Sequence, residues 1–209
     1  MNPYYPIFLN LSGRKCVVIG GGQVALRKVT TLLQHGADIT VISPRLCKGL
    51  REPDCDGRIK VRRRAYRAGD LEGAYIAIIA TGNRSVNLHA SLEARCNRIP
   101  VNVVDDPGLS DFILPAIIRR GSVSIAISTS GKSPALARKI RTRLEGEMDE
   151  KYAELVLLIE GVRREVKRRK LKVSSKRWQE AIDLDFMLQL IKQGDSEKAR
   201  AILLERLSK

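Results

Sequence analysis

The 209-residue chain carries 38 lysine and arginine residues against 23 aspartate and glutamate residues, a formal net charge of +15. Such a balance favours an anionic partner, whether nucleic acid, an acidic membrane surface or a highly carboxylated small molecule. The length allows one large domain or a medium domain with a smaller one, and no apolar run is long enough to span a membrane.

The N-terminus, with Pro3, two tyrosines and no basic leader, does not read as a signal peptide, and the expected location is the cytoplasm. From Lys15 an apolar run, Cys16-Val17-Val18-Ile19, ends in Gly20-Gly21-Gly22-Gln23-Val24-Ala25 and passes into a helical pattern. This Gly-x-Gly-x-x-Ala spacing is the phosphate-gripping turn of a dinucleotide-binding βα unit. Gly20 allows the tight turn, Gly22 lets the backbone approach a pyrophosphate, and Ala25 lets the helix pack closely on the strand. The phosphates would sit at the helix N-terminus, where Gln23 and Val24 carry unpaired N–H groups.

Val24, Ala25, Val29, Leu32 and Leu33 recur at helical spacing, and Gly36 ends the helix. His35 falls at that helix end. Ile39-Thr40-Val41-Ile42 is a second buried strand, which completes a β–turn–α–β unit. NAD sites often carry an acidic residue after this strand to bind the ribose hydroxyls. Here the sequence is Ser43-Pro44-Arg45, so the ribose falls to backbone groups, to Ser43 or to Arg45, and Arg45 keeps NADP open as an alternative. Cys47 and Cys55 lie in an expected loop. No cysteine or histidine spacing reads as a metal site, and no disulfide is expected.

Ile59 to Arg63 reads as a short strand leading into the basic triplet Arg62-Arg63-Arg64. Tyr75 to Ala80 is an apolar strand followed by Thr81-Gly82-Asn83. Residues 85–97 form a helix with His89 on its surface, and Pro100 to Val104 form a further strand ending at Asp105-Asp106-Pro107. Alternating strands and helices imply a Rossmann-like parallel sheet with its ligand at the strand carboxyl ends, where Gly22, Ser43, Thr81 and Asp105 all fall.

The pattern changes after Asp111. Phe112 to Arg119, interrupted by Pro115, and Val123 to Ser128 suggest a β-hairpin whose open edges suit a dimer contact. Thr129-Ser130-Gly131-Lys132 is a polar loop, and Ser133 caps a helix that begins at Pro134. Four helical stretches follow: 135–144, 152–170, 178–193 and 196–207. The basic run between Arg163 and Arg177 has little aromatic interleaving and reads as a solvated helix face.

Several of these motifs together resemble the precorrin-2 dehydrogenase and sirohydrochlorin ferrochelatase family, relatives of the N-terminal module of siroheme synthase. They are Pro6-Ile7-Phe8-Leu9-Asn10-Leu11, the glycine turn continuing to Arg27-Lys28, Asn102-Val103-Val104-Asp105, Phe112-Ile113-Leu114-Pro115-Ala116, and the stretch from Ser128 through Ser133-Pro134 to Arg138. The resemblance implies an NAD-binding domain over 1–111, a dimerisation segment over 112–145 and a helical domain over 146–209. The reaction it implies is NAD-dependent oxidation of precorrin-2 to sirohydrochlorin by a homodimer. Iron insertion is left open, with ferrous iron as a second substrate. Asp105 is the implied catalytic base, and Asp106 has two readings, a like charge beside it or a solvent-facing side chain. Capping of the loop before Pro107 is the structural alternative for Asp105. Ser128, Thr129, Ser130 and Lys132 are implied substrate contacts, with the alternative that the hydroxyls only shape the turn. A tetrapyrrole ringed with acetates and propionates gives the basic charge a meaning. The competing reading is an NAD-sensing, nucleic-acid-binding regulator with a Rossmann domain and a basic helical tail.

Overall fold

In the computed structural model, which describes residues 4–208, the chain divides into two compact units, Met1–Leu114 and Pro115–Lys209. Residues 1–3, including Pro3, lie outside the described residues.

The first unit is a five-stranded parallel sheet in the order β3-β2-β1-β4-β5, with β1 Lys15–Ile19, β2 Asp38–Ile42, β3 Lys60–Arg62, β4 Ile76–Ile79 and β5 Val101–Val103. A parallel sheet covered on both faces needs apolar residues at successive positions, and alternate ones face opposite sides. Cys16 and Val18 of β1 join Ile39 and Val41 of β2 and Ile76 and Ile78 of β4 on one face. Val17, Ile19, Ile42, Ala77, Ile79, Val101 and Val103 form the other.

Helix α1, Gln23–Gln34, lays Ala25, Val29 and Leu32 on the first face, beside α2, Lys48–Cys55, which contributes Leu50. Helix α3, Arg84–Cys96, covers the second face with Ala90 and Ala94. Helix α2 corrects the expected loop. Its eight residues offer only Leu50 and Pro53 to the interior, too few for a visible period. Cys47 and Cys55 flank a helix rising ~1.5 Å per residue, so they are held ~12 Å apart, beyond disulfide reach, and both are free thiols.

No helix connects β3 to β4. Two carboxylates staple this connection instead. Glu93 on α3 accepts hydrogen bonds from the Tyr66 hydroxyl, Gly69 N–H (3.1 Å) and Leu71 N–H (2.8 Å). Asp70, 4% exposed, accepts from Arg62 (2.6 Å), twice from Arg64 (both 2.7 Å) and from Arg67 N–H (2.8 Å). With Arg63 paired to Asp54 at 2.5 Å, the whole basic triplet is committed to internal partners.

The second unit opens with the antiparallel hairpin β6, Ala116–Arg120, and β7, Val123–Ile127, joined across Gly121 and Ser122. Pro115 immediately precedes β6, where its missing N–H costs no ladder bond. Helices α4 Pro134–Glu147, α5 Lys151–Arg168, α6 Ser175–Ala181, α7 Leu184–Lys192 and α8 Ser196–Ser208 follow. Leu155, Val162, Met187, Leu190 and Leu203 are among the residues of their common core. The single helix expected over 178–193 is two. Asp183 caps α7 by accepting from Phe186 N–H at 3.3 Å, and Ser174 starts α6 by accepting from Arg177 N–H at 3.2 Å. Within the basic run, Glu165 is gripped by Arg168 and Arg169, and the Arg163 guanidinium lies 5.1 Å from the Trp178 ring centroid.

The Arg64 hydrogen bond, helped by Arg67 N–H and Arg62, holds Asp70 down at about 2 from its ordinary 3.8, against the opposing effect of burial. A depressed carboxylate stabilises the fold fully above its unfolded value and loses that contribution as pH falls toward the folded one. Asp70→Asn is therefore expected to cost about 1–2 kcal/mol at pH 7, with the difference from wild type vanishing between pH 4 and pH 2. Thermal melts across that range check it.

Candidate active site

The carboxyl edge of the sheet is built around β1. Gly20 continues the pairing on one side by donating to the Ile42 carbonyl at 2.9 Å, and Ala80 N–H donates to Ile19 at 2.7 Å on the other. Gly20 has φ +125°, and a Cβ there would stand 2.2 Å from the Ala80 carbonyl oxygen. Only glycine fits so close a crossing. A Cβ on Gly21 would stand 2.0 Å from the Arg45 carbonyl and 2.6 Å from the Ser43 hydroxyl, so the loop after β2 rests directly on the glycine turn. Cys47 N–H fastens that loop by donating to Gly21 at 2.7 Å.

Gly22 differs from both. It is exposed and a Cβ on it would meet nothing within 4 Å. It is also the N-cap of α1, without a side-chain cap. The first helical bond runs from Leu26 N–H to Gly22, and the N–H groups of Gln23, Val24 and Ala25 find no acceptor among the described residues. An open glycine beside free N–H groups at the positive end of a helix suits a pyrophosphate. These residues fit a dinucleotide.

At the end of β2, the Ser43 side chain is buried and its hydroxyl donates to the Arg45 carbonyl at 2.7 Å. Ser43 therefore shapes the loop, whereas Pro44 and Arg45 are exposed on it. Thr81 follows β4. Its Oγ1 accepts from Asn83 N–H at 2.8 Å, and its carbonyl accepts from the Asn87 side-chain amide at 3.1 Å, so Asn87 on α3 pins this loop from below. The sequence reading assigned no role to Asn87.

Asp105 follows β5 with φ +61°, a left-handed conformation that aspartate tolerates better than most residues. Its side chain is exposed and its carboxylate accepts no hydrogen bond among the described residues. The capping role considered for Asp105 belongs to Asp106, whose Oδ1 accepts from Leu109 N–H at 3.2 Å and starts the 3-10 turn Pro107–Leu109. The free carboxylate and the open glycine turn thus share one edge of one sheet.

Ser128, Thr129, Ser130 and Lys132 lie in the second unit. Ser128 Oγ accepts from Ser130 N–H at 2.9 Å, Thr129 Oγ1 from Ser133 N–H at 3.0 Å, and Lys132 N–H donates to the Thr129 carbonyl at 3.0 Å. The hydroxyl oxygens do shape the turn, while the O–H protons of Ser128 and Thr129 remain available to an acceptor such as a carboxylate. Ser130 is left-handed at φ +53°. Among the described residues, no group of three or more His, Cys, Asp or Glu side chains could hold a metal ion, and no helix is long and apolar enough to cross a membrane.

The family described as "Putative NAD(P)-binding" matches residues 7–116, and "Sirohaem biosynthesis protein central" matches residues 120–147. The chain is 40% identical to a siroheme synthase of Methylococcus capsulatus over 204 residues, covering 97% of this chain and 43% of that protein. It is 39% identical to a siroheme synthase of Nitrosospira multiformis over 210 residues, covering 98% and 44%. The chain thus spans less than half the length of these relatives. Among solved structures it resembles SirC, a precorrin-2 dehydrogenase, with a TM-score of 0.71 and 29% identity over 97% of this chain and 98% of that one.

Two substitutions separate the roles of these loops. Gly22→Ala is expected to cost less than about 1 kcal/mol of stability but to weaken NAD binding about tenfold or more, because the added methyl faces the ligand rather than the protein. Calorimetric titration and a thermal melt read the two effects. Ser130→Gly is expected to stabilise the protein by up to ~1 kcal/mol by relieving the left-handed serine, which denaturant midpoints measure.

Proposed function

The chain belongs to the putative NAD(P)-binding family, and from that premise, with its likeness to siroheme synthases and to a precorrin-2 dehydrogenase, we propose that it oxidises precorrin-2 to sirohydrochlorin with NAD⁺. The single observation that carries this reading is the shared carboxyl edge, with an open, uncapped glycine turn at Gly22 and an unpartnered carboxylate at Asp105. The turn suits a dinucleotide, and the carboxylate suits the proton that must leave with the hydride.

The N–H groups of Gln23 and Val24, with Gly20 and Gly22, would hold the pyrophosphate of NAD⁺. Pro44, Arg45 and Thr81 would line the rest of the cofactor site, with Ser43 fixing the loop after β2, and the bound cofactor would supply the hydride acceptor. Asp105 Oδ accepts the proton as the macrocycle loses its hydride, so precorrin-2 and NAD⁺ give sirohydrochlorin, NADH and one proton. In the second unit, the hydroxyls of Ser128, Thr129 and Ser130 and the Lys132 ammonium bind acetate or propionate groups of the substrate. Residues 1–111 bind the cofactor, 112–145 form the contact of a homodimer, and 146–209 form a helical domain. The protein works in the cytoplasm. Ferrous iron is its second substrate wherever it also acts as a ferrochelatase, and Asp105 then receives the pyrrole protons.

Asp105→Ala is expected to lower anaerobic turnover of precorrin-2 by about 100-fold or more while the NAD dissociation constant stays near that of wild type. Absorbance for sirohydrochlorin and NADH, with a separate NAD titration, measures both. Near-normal turnover in this variant removes Asp105 from the mechanism.

A further inference from the structure

The strand order β3-β2-β1-β4-β5 sets the direction of a dinucleotide along the carboxyl edge. The glycine turn follows β1 and Asp105 follows β5, so a cofactor whose nicotinamide lies toward Asp105 lays its adenosine half across the end of β2. NAD sites often place a carboxylate there, which accepts the ribose 2′-hydroxyl and by its charge repels a 2′-phosphate. This chain carries the opposite charge. From Ser43 to Arg51 it has no acidic residue, but it holds Arg45, Lys48 and Arg51.

Arg45 is fixed beside the phosphate turn through its backbone. Its carbonyl crowds Gly21, the neighbour of Gly22, so closely that a Cβ on Gly21 would stand 2.0 Å from it. The Ser43 hydroxyl donates to the same carbonyl at 2.7 Å, and Cys47 N–H donates to Gly21 at 2.7 Å. Ser43 is buried and its one proton is used in that contact, which leaves the Arg45 guanidinium as the polar side chain that the loop exposes beside the turn. Among the described residues this guanidinium makes no hydrogen bond or ion pair. The carboxylates nearest in sequence and fold are already taken. Glu52 and Asp56 pair with Arg58, Asp54 with Arg63, and Asp70 with Arg62 and Arg64. A guanidinium offers donors only, and its planar fork matches two oxygens of a phosphate.

We propose that the cofactor site takes NADP⁺ as well as NAD⁺, with Arg45 as the specificity-determining residue that binds the 2′-phosphate of the adenosine ribose. The proposal rests on the reading of the glycine turn as a dinucleotide site. Two conditions for NADP⁺ are met at one loop: the carboxylate that would exclude a 2′-phosphate is missing, and a cation without a partner among the described residues stands in its place. Lys48 and Arg51, both exposed, add positive potential on the same side of the turn.

The test is calorimetric titration of the full chain with NAD⁺, NADP⁺, AMP and adenosine 2′,5′-bisphosphate, in wild type, Arg45→Ala and Arg45→Glu. Wild type is expected to bind NADP⁺ within about tenfold of NAD⁺ or more tightly, and the bisphosphate more tightly than AMP. The ratio of the NADP⁺ to the NAD⁺ dissociation constant should rise about tenfold in Arg45→Ala and further in Arg45→Glu. A disturbance of the loop that weakens both cofactors alike cancels in that ratio. The wild-type arms need no variant to fold, and none of the titrations needs a tetrapyrrole. Wild type that binds NAD⁺ but takes NADP⁺ more than about tenfold more weakly overturns the proposal and leaves the dinucleotide reading standing, and so does a ratio that neither substitution changes. Folded protein that binds neither dinucleotide overturns both.

Discussion

The close approach of backbone to backbone at the end of β1 is the constraint on which the first unit depends. Gly20 lies against the Ala80 carbonyl and Gly21 against the Arg45 carbonyl, at separations no Cβ could share. Because β1 sits between β2 and β4, the loops leaving those strands must part over it, which is where ligands bind in open parallel sheets. The two glycines let the neighbouring loops settle onto the turn, and Gly22 is then left as an open floor.

Much of this was legible in the sequence, because the signals are local. The glycine spacing, the apolar strands and the change of period after Ile19 all occur within one βαβ unit, and Ser133 announces α4 in the same local way. What escaped notice was of two kinds. Helix α2 and the break at Asp183 depend on short segments, where one or two buried residues or a single capping carboxylate decide the outcome. The roles of Asn87, Glu93 and Asp70 depend on partners brought together by folding. Asp70 reads as one acidic residue in a loop until Arg62 and Arg64 are seen to converge on it.

The positive charge also looks different once its partners are known. The triplet at Arg62 is held by Asp54 and Asp70, and part of the C-terminal run is tied to Glu165. These clusters were the main reason to consider a nucleic-acid partner, and the carboxylates of Asp54, Asp70 and Glu165 hold five of their arginines at short range. Their contribution is to the fold, where Asp70 stands in for a missing helix between β3 and β4. The Ser128–Lys132 loop carries three hydroxyls and one cation, the kind of groups that pair with carboxylates.

The central claim is that one carboxyl edge couples dinucleotide binding to proton removal from a tetrapyrrole. Its most direct test is the stoichiometry of NADH to sirohydrochlorin when the purified wild-type protein meets enzymatically generated precorrin-2 and NAD⁺ without oxygen. The account predicts equal amounts of the two products, with neither formed when NAD⁺ is omitted. Folded protein that binds NAD⁺ yet yields no sirohydrochlorin, or yields it without NADH, would contradict it.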